Sequence, residues 1–367
     1  MTDRELEVLN IIKENPSITL NEISEKLGIS RNTAGVYISN LTKSGFLLGR
    51  AYIVNSDDYI VGIGAANVDL YGKSSIPIRQ KFDHPGYIRS NLGGVSRNVI
   101  ENLTRLGMKT KMLTAVGDDL FGSYIVSESA KNGIDMKDVL TVPGSSSSIF
   151  MQVLDEQNDM HLAICDMSVI NNIDRGYLSS KETLIRGAKA LVIDPSLTED
   201  SLDYLLDIYK DKMIFADPVS DVYAAKIRPY INRLYAIKPN LSELRILSER
   251  EINSEEDLIA AGRSLIDRGL KKLLVSLGKD GCLYIDAERV EKMKFRPVED
   301  VVNASGAGDA FFAAVIYGIV QGADIKEAIK YGLAAGILTI RCAQTISPEL
   351  NINALREIIK ENENENA

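Results

Sequence analysis

The chain has 367 residues, 45% hydrophobic and 25% charged, the composition of a water-soluble globular protein with room for two or three domains. Three cysteines and two histidines are too few for a zinc module or a disulfide framework, so we expect a cytoplasmic protein without a membrane segment or secretory signal. The formal net charge of −9 argues against a protein devoted to nucleic-acid binding.

Residues 1–54 form the first predicted domain, called the head below. A first helix ends at Asn15-Pro16, because proline stops a helix. Thr19 is expected to cap a second helix, with Glu22 three residues later in the position of a capping box. Gly28 then provides a tight turn.

The third predicted helix runs from Ser30 to Ser44, and its apolar residues Val36, Ile38 and Leu41 are expected to face the core of the head. Residues Phe46–Val54 are expected to form a short hairpin. Three helices followed by a wing are the order of a winged helix-turn-helix domain.

The segment Leu20–Ala34 resembles the winged-helix regulators of bacteria. The resemblance implies that Arg31, Asn32 and Thr33, at the start of the third helix, contact a DNA major groove. The head carries six basic and six acidic residues, so the whole net charge belongs to the rest of the chain. A helical packing or dimerisation module that does not bind DNA is the alternative.

Residues 58–360 form the second predicted domain, the body. Short apolar runs alternate there with amphipathic helices, which predicts a doubly wound parallel α/β sheet with helices on both faces. The predicted strands are Tyr59–Ala65, Lys111–Val116, Ala190–Asp194, Met213–Asp217, Leu234–Ile237 and Leu273–Leu277. Two pieces, 69–90 and 145–166, interrupt this pattern and predict a small additional sheet, a candidate lid.

The strongest chemical signal is the segment Asn303–Phe312, where small residues lead into an apolar helix. Backbone N–H groups at such a helix start bind an anion, and Gly306 and Gly308 let a phosphate approach the main chain. Asp309, beside that anion site, is a candidate general base. The alternative is an ordinary helix start that Asp309 caps.

Four further motifs place polar residues or glycines at the end of a strand or the start of a helix. Asn67 and Asp69 share one face at the end of the first strand, and Gly93-Gly94 opens a helix that carries Asn98. Asn240 and Glu243 lie one helical turn apart after another strand, and Ser276, Gly278 and Gly281 end a strand in a glycine loop. Asp194 and Asp217 also end strands, where they either touch a ligand or cap helices.

These five motifs, in this order, resemble the ribokinase or phosphofructokinase-B family of sugar and nucleoside kinases over about residues 58–350. The resemblance implies transfer of the ATP γ-phosphate to a primary hydroxyl, with Mg²⁺ as cofactor. It also implies that Asp309 is the base, and that the N–H groups of Ala307, Gly308 and Asp309, preceded by Gly306, form an anion hole.

By the same resemblance, sugar hydroxyls would contact Asn67, Asp69, Gly93, Gly94, Arg97 and Asn98, with Asp166 as a further candidate. ATP would lie near Asn240, Glu243, Ser276, Gly278, Gly281 and Asn303, and Glu243 would hold Mg²⁺ through water. Pairing of the lids would give a homodimer. Asn303 stands where ribokinases carry an Asp that helps to bind a monovalent cation, so the need for that cation stays open.

Within the family, the residues Gly93-Gly94-Val95-Ser96-Arg97-Asn98, Asn303 and Ala163–Met167 are most similar to the pseudouridine kinases. This similarity implies phosphorylation of the 5′-hydroxyl of pseudouridine, a nucleoside. Two alternatives stay open: another nucleoside or ribose-type sugar kinase, and a transcription regulator whose kinase-like body senses a ligand.

Overall fold

A computed structural model of the chain describes residues 1–48, 58–157, 159–296, 298 and 300–364. Over residues 1–48, the head has three helices: α1 (Asp3–Glu14), α2 (Leu20–Leu27) and α3 (Arg31–Lys43). The predicted caps are confirmed, because the Thr19 hydroxyl accepts from the Glu22 N–H in a reciprocal capping box and the Ser30 hydroxyl accepts from the Thr33 N–H. Most of the predicted hairpin, residues 49–54, lies outside the described residues.

The core of the head corrects one sequence prediction. Ala34 and Leu41 are buried on α3, and Ile38 packs partly against them, whereas Val36 is 56% exposed. Residues seven apart return to the same helix face, so Ala34 and Leu41 define the buried stripe and Val36 falls away from it. The prediction for Val36 was wrong because apolar character alone does not fix the phase of a helix.

The body contains fourteen strands and eleven helices among the residues that the structure describes. The strands are β1 (Tyr59–Ile63), β2 (Asn67–Ser74), β3 (Gly86–Gly93), β4 (Lys109–Leu113), β5 (Ala115–Gly117), β6 (Leu140–Val142), β7 (Ile149–Leu154), β8 (Met160–Asp166), β9 (Ala190–Ile193), β10 (Met213–Ala216), β11 (Ala236–Ile237), β12 (Lys272–Ser276), β13 (Cys282–Ile285) and β14 (Val290–Met293). The helices are α4 (Val95–Arg105), α5 (Leu120–Lys131), α6 (Arg175–Ser180), α7 (Glu182–Gly187), α8 (Glu199–Ile208), α9 (Asp221–Ile227), α10 (Leu241–Ser248), α11 (Glu255–Asp267), α12 (Ala307–Val320), α13 (Ile325–Ile340) and α14 (Ile352–Asn364).

Eight strands form the main sheet in the order β14-β13-β12-β11-β10-β9-β1-β4. Six neighbouring strands of this sheet are parallel, as predicted: β4, β1, β9, β10, β11 and β12. Strands β13 and β14 extend the β12 edge in antiparallel pairing. Successive residues of β1 point to opposite faces: Ile60 joins the core under α4 and α12, and Val61 joins the core on the other face. Helices therefore cover both faces, as in a doubly wound fold.

A second sheet, in the order β3-β2-β7-β8, is built from the two pieces that interrupt the strand-helix alternation. The β8 residues are all exposed, and so are most of those in β3. Strand β2 leaves the carboxyl end of β1 after a short turn, so this sheet stands at the edge of the main sheet where open α/β folds bind ligands. Across the described part of the chain, no helix combines the length and hydropathy that a membrane span requires.

Candidate active site

The N-terminus of α12 forms one wall of the candidate site. Gly306 precedes the helix at φ +79°, a left-handed conformation, and a Cβ atom there would overlap the carbonyl oxygen of Thr345. Glycine is therefore required at this position. The helix begins at Ala307, so the N–H groups of Ala307, Gly308 and Asp309 belong to its first turn, which lacks intrahelical acceptors. Of these, Ala307 N–H makes a long contact of 3.4 Å with the carbonyl oxygen of Ala304.

Asp309 lies in the first turn of α12 and its carboxylate is held from the neighbouring helix. Asn98 of α4 donates from Nδ2 to Asp309 Oδ2 over 2.8 Å. Burial, together with the negative charge of Asp217, raises the pKa of Asp309 to about 7, although the Asn98 hydrogen bond and the Lys238 charge oppose this rise. A carboxylate with a pKa near neutrality can both accept and release a proton at physiological pH.

Lys238 is a residue of this site that the sequence analysis missed. It follows β11, and its ammonium lies 2.9 Å from Asp217 Oδ2, with both side chains less than a tenth exposed (8% and 6%). The same ammonium would lie 3.3 Å from a Cβ atom at position 308, so Gly308 leaves it room beside the helix start. Burial lowers the pKa of Lys238, but Asp217, Asp309 and Glu243 together outweigh burial and raise the pKa of the ammonium above its ordinary value.

Asn67 and Asp69 lie on one face of a strand, as predicted, but they begin β2 rather than end β1. The Asn67 amide donates to Asp69 Oδ1 over 2.6 Å, and the Tyr71 hydroxyl donates to Oδ2 over 3.4 Å. A Cβ atom at Gly93 would lie 2.5 Å from either oxygen of Asp69, so glycine lets the β3 backbone approach that carboxylate. Burial raises the pKa of Asp69. Gly94 follows at φ +95°, where its backbone packs on Ala65 and starts α4.

Within the described residues, neither Arg97 nor Asp166 forms a hydrogen bond with Asn67 or Asp69. Arg97 is 2% exposed, and its guanidinium contacts Asn98, Glu101 and Ser129 inside the protein. In the register of the second sheet, Asp166 pairs with Ile149, which pairs with Val68, so Asp166 points to the face opposite Asp69. Asp166 is exposed and accepts from the Ser168 N–H over 3.0 Å. Substrate contact by either residue stays a prediction.

Asp194, directly after β9, accepts hydrogen bonds from the backbone of three separate segments. It is 1% exposed and accepts from the N–H of Ala65 over 3.0 Å, from the N–H of Ser96 over 3.3 Å, and from Ser196. Burial raises the pKa of this carboxyl group. Of the two roles left open for Asp194, ligand contact and helix cap, these contacts are nearer to the cap, because the donors belong to the turn after β1, the first turn of α4 and the turn after β9.

Asn240 and Glu243 open α10 with a capping box in which each side chain accepts from the other residue's N–H over 2.9 Å. Asn240 also pairs with Ser276 as an isolated bridge. Asn240, Ser276, Gly278 and Asp280 line a cavity of 960 Å³. Burial, followed by the charge of Asp217, raises the pKa of Glu243. The cavity is of the size that small-molecule ligands occupy.

Gly281 and Asn303 lie outside the lining of this cavity. Gly281 has φ +85° and packs against Lys294. The Asn303 amide donates to the carbonyl oxygen of Ala343 over 3.2 Å, and its Oδ1 accepts from the Ser305 N–H over 3.0 Å. These hydrogen bonds order the loop before Gly306, so the structure gives Asn303 a local role next to the anion site.

Comparison with known proteins identifies both parts of the chain. The model of the pfkB family of carbohydrate kinases matches residues 57–352, and a model of winged helix-turn-helix DNA-binding domains matches residues 1–47. The chain therefore belongs to the pfkB family of carbohydrate kinases and has an N-terminal winged helix-turn-helix domain. The family that the motifs predicted is confirmed, and with it a phosphotransferase that uses an alcohol group as acceptor.

Three individual proteins show which kinases the chain is similar to. An uncharacterized sugar kinase of Escherichia coli K12, YeiI, is 29% identical over 97% of this chain and 98% of its own length. The pseudouridine kinase of the same organism is 32% identical over 80% of this chain and 94% of its own length. A ribokinase from Arabidopsis thaliana, solved with ribose and ATP, superposes with a TM-score of 0.71 over 83% of this chain and 99% of its own at 18% identity. The last likeness concerns the fold alone.

Proposed function

We propose that the protein is an ATP-dependent kinase that transfers the γ-phosphate to the 5′-hydroxyl of pseudouridine. The observation that carries the kinase reaction is the placement of Asp309, with a pKa of about 7, in the first turn of α12. The relative that phosphorylates pseudouridine shares 32% identity, and the subgroup motif Gly93–Asn98 is intact. These two findings support the choice of acceptor.

In the proposed mechanism, Asp69 and Asn67 bind sugar hydroxyls and hold the acceptor at the carboxyl edge of the sheet. The Asp309 carboxylate takes the proton of the 5′-hydroxyl as its oxygen attacks the γ-phosphorus atom, and ADP leaves. The first-turn N–H groups of α12 and the ammonium of Lys238 stabilise the negative charge on the transferred phosphoryl group. Transfer therefore depends mainly on positioning and charge, which these residues supply.

Mg²⁺ fits the oxygen-rich side of this site. Burial, and after it the charge of Asp217, raises the pKa of both Glu243 and Asp309, so the Asp217 carboxyl group lies near both of them. Protein sites commonly hold Mg²⁺ through one or two carboxylates, phosphate oxygens and water, and Glu243 would hold it through water. When bound, the ion supplies positive charge to the phosphates. No group of three or more His, Cys, Asp or Glu in the described ranges forms a metal site by itself.

The choice of acceptor is tested by ADP release with pseudouridine, uridine, ribose, inosine and fructose, each at several concentrations. We expect the highest kcat/KM with pseudouridine, because Gly93, the first residue of the subgroup motif Gly93–Asn98, packs against the Asp69 carboxylate in the site. Equal or better kcat/KM with uridine or ribose would contradict the pseudouridine proposal and favour another kinase of the family. Turnover with none of the five acceptors, combined with ligand-dependent DNA binding, would favour the ligand-sensing regulator.

We also propose that the head binds DNA through the start of α3. Arg31 and Asn32 are exposed there, while the Thr33 hydroxyl is shared with Ser30 over 2.8 Å. The first turn of α3 contains no acidic residue, and Lys43 lies in its last turn. Because the head is electrically neutral overall, its contact with DNA depends on few cations and should weaken strongly with salt.

Arg31→Ala should reduce affinity for DNA from the promoter region of the protein's own gene by about tenfold, since one charge-assisted contact is worth 1–3 kcal/mol, and leave kinase turnover unchanged. Binding is measured by fluorescence anisotropy at two salt concentrations. Lys13→Ala, on α1, is the matched control that removes an exposed charge elsewhere in the head. Unchanged DNA affinity in Arg31→Ala would move the contact away from this residue, and no binding by the wild-type protein at low salt would exclude the proposal.

The homodimer stays a prediction. The second sheet exposes a group of large apolar side chains that a partner could cover: Ile88, Met160, Leu162 and Ile164. By the strand register, Leu162 and Ile164 lie on the face opposite Asp69, so a partner bound there would leave the acceptor side open.

A further inference from the structure

The side-chain amide of Asn98 lies between two charged groups of opposite sign. On one side, Arg97 Nη1 donates to Asn98 Oδ1 over 2.9 Å. On the other side, Asn98 Nδ2 donates to Asp309 Oδ2 over 2.8 Å. The three side chains thus form one chain of hydrogen bonds that ends on the candidate base.

The chemistry of the two neighbours permits only one orientation of this amide. A guanidinium has donors and no acceptor, and an ionised carboxylate has acceptors and no donor. If the Asn98 amide rotated by half a turn, its NH₂ group would face the Arg97 donors and its oxygen would face the Asp309 oxygens. Both contacts would become repulsive, so Arg97 selects the rotamer in which Asn98 donates to Asp309.

Arg97 is itself held firmly. Its Nη2 pairs with Glu101, one turn along α4, and its Nε donates to Ser129 Oγ over 3.3 Å. Glu101 is in turn anchored by Arg105 at 2.8 Å, and the side chains of Arg97 and Glu101 are 3% and 2% exposed. These contacts engage all three nitrogens of the Arg97 guanidinium group inside the protein.

We propose that Arg97 is a positioning residue of the phosphotransfer site, which fixes the amide of Asn98 so that Asn98 holds the carboxylate of Asp309. The inference rests on the proposed role of Asp309 as the base. The other charged groups that face Asp309 are Asp69 on β2, Asp217 after β10 and Lys238 after β11, whereas the hydrogen bond to the Asn98 amide oxygen comes from Arg97.

Arg97→Met tests the proposal. The substitution keeps the length of the side chain and removes its donors, and Glu101 keeps its ion pair with Arg105. The Asn98 amide then loses one of the two contacts that fix its orientation, so its hydrogen bond to Asp309, which lowers the pKa of that carboxyl, is weakened. We expect the acid limb of the kcat/KM profile to move up by about one pH unit, with about tenfold lower activity below pH 7 and ATP affinity within threefold of wild type.

Arg105→Met is the matched control, because it removes the other arginine on Glu101 and leaves the Arg97–Asn98 contact in place. Its pH profile should superpose on that of the wild type. An unshifted acid limb in a folded Arg97→Met protein, or the same shift in both variants, would overturn the proposal. Thermal melting verifies folding, and if Arg97→Met does not fold, Arg97→Lys replaces it with a smaller shift expected.

The experiment separates failure of this inference from failure of the proposed function. All proteins are assayed with the acceptor that gives the wild type its highest turnover, whichever member of the panel that is. An inactive wild type would contradict the proposed kinase function before Arg97 is considered. An active wild type whose turnover does not depend on Asp309 would remove the basis of the inference, and an active, Asp309-dependent enzyme indifferent to Arg97 would refute the inference alone.

Discussion

Asp309→Asn will abolish turnover while the protein still binds ATP and acceptor. The amide has the size of the carboxyl group but takes no proton from a hydroxyl, so the rate should fall by the 10²–10⁴-fold that general base catalysis contributes. The Asn98 amide still finds a hydrogen-bond acceptor at position 309, so the site should keep its shape. ADP release measures turnover, and isothermal titration measures the affinities. Turnover within tenfold of the wild type would exclude Asp309 as the base.

The same variant should be more stable than the wild type at neutral and alkaline pH. The folded protein holds a proton on Asp309 up to a pKa of about 7, whereas the unfolded chain releases it near the ordinary 3.8. The wild type therefore binds more protons when folded, and its stability falls as pH rises from about 4 to 7. At 1.36 kcal/mol for each pKa unit, the Asn variant gains on the order of 4 kcal/mol across this interval.

Thermal melting of both proteins from pH 4 to pH 8 tests this linkage. The difference in Tm should be near zero at the acid end, grow towards pH 7 and then stay constant. A difference that did not change with pH would mean that the folded carboxyl group is not protonated at neutral pH. The pattern is distinctive because the loss of a stabilising ionised carboxylate would give the opposite sign.

Features that depend on neighbours in the chain could be predicted from the sequence. Thr19, Glu22 and Ser30 cap their helices as predicted, because a cap joins residues three apart. The run of small residues before Asp309 could also be recognised in the sequence, because the backbone at position 306 requires glycine. Most main-sheet strands were placed within two residues, since buried parallel strands appear as continuous apolar runs.

Features that depend on distant pairing could not be predicted. Lys238 and Asp217 come from different strand ends, and only the parallel pairing of β10 with β11 brings their side chains together. Arg97 lies inside a motif that suggested substrate contact, but the sequence does not show that Glu101 and Ser129 take up its donors. The antiparallel strands β13 and β14 were not among the predicted strands: β13 is apolar and buried, whereas β14 alternates exposed and half-buried residues.

Lys238→Met should destabilise the protein and remove most of its activity. The substitution leaves Asp217 buried without its ion-pair partner, which costs about 3–5 kcal/mol in the free energy of unfolding. It also removes a positive charge beside Gly308, and loss of one such group from an anion-stabilising site lowers kcat by about 10²–10³-fold. Lys238 lowers the pKa of Asp309, so the acid limb of the pH profile should move to higher pH.

A second substitution separates the two effects of Lys238. In Lys238→Met/Asp217→Asn the unpaired carboxylate is gone, so most of the lost stability should return, whereas kcat should stay low because the ammonium is still missing. Lys272→Met, which removes a partly buried lysine at the amino end of β12, is the control and should leave kcat unchanged. Recovery of kcat in the double variant would contradict a catalytic role for Lys238 and leave the lysine only the task of neutralising Asp217.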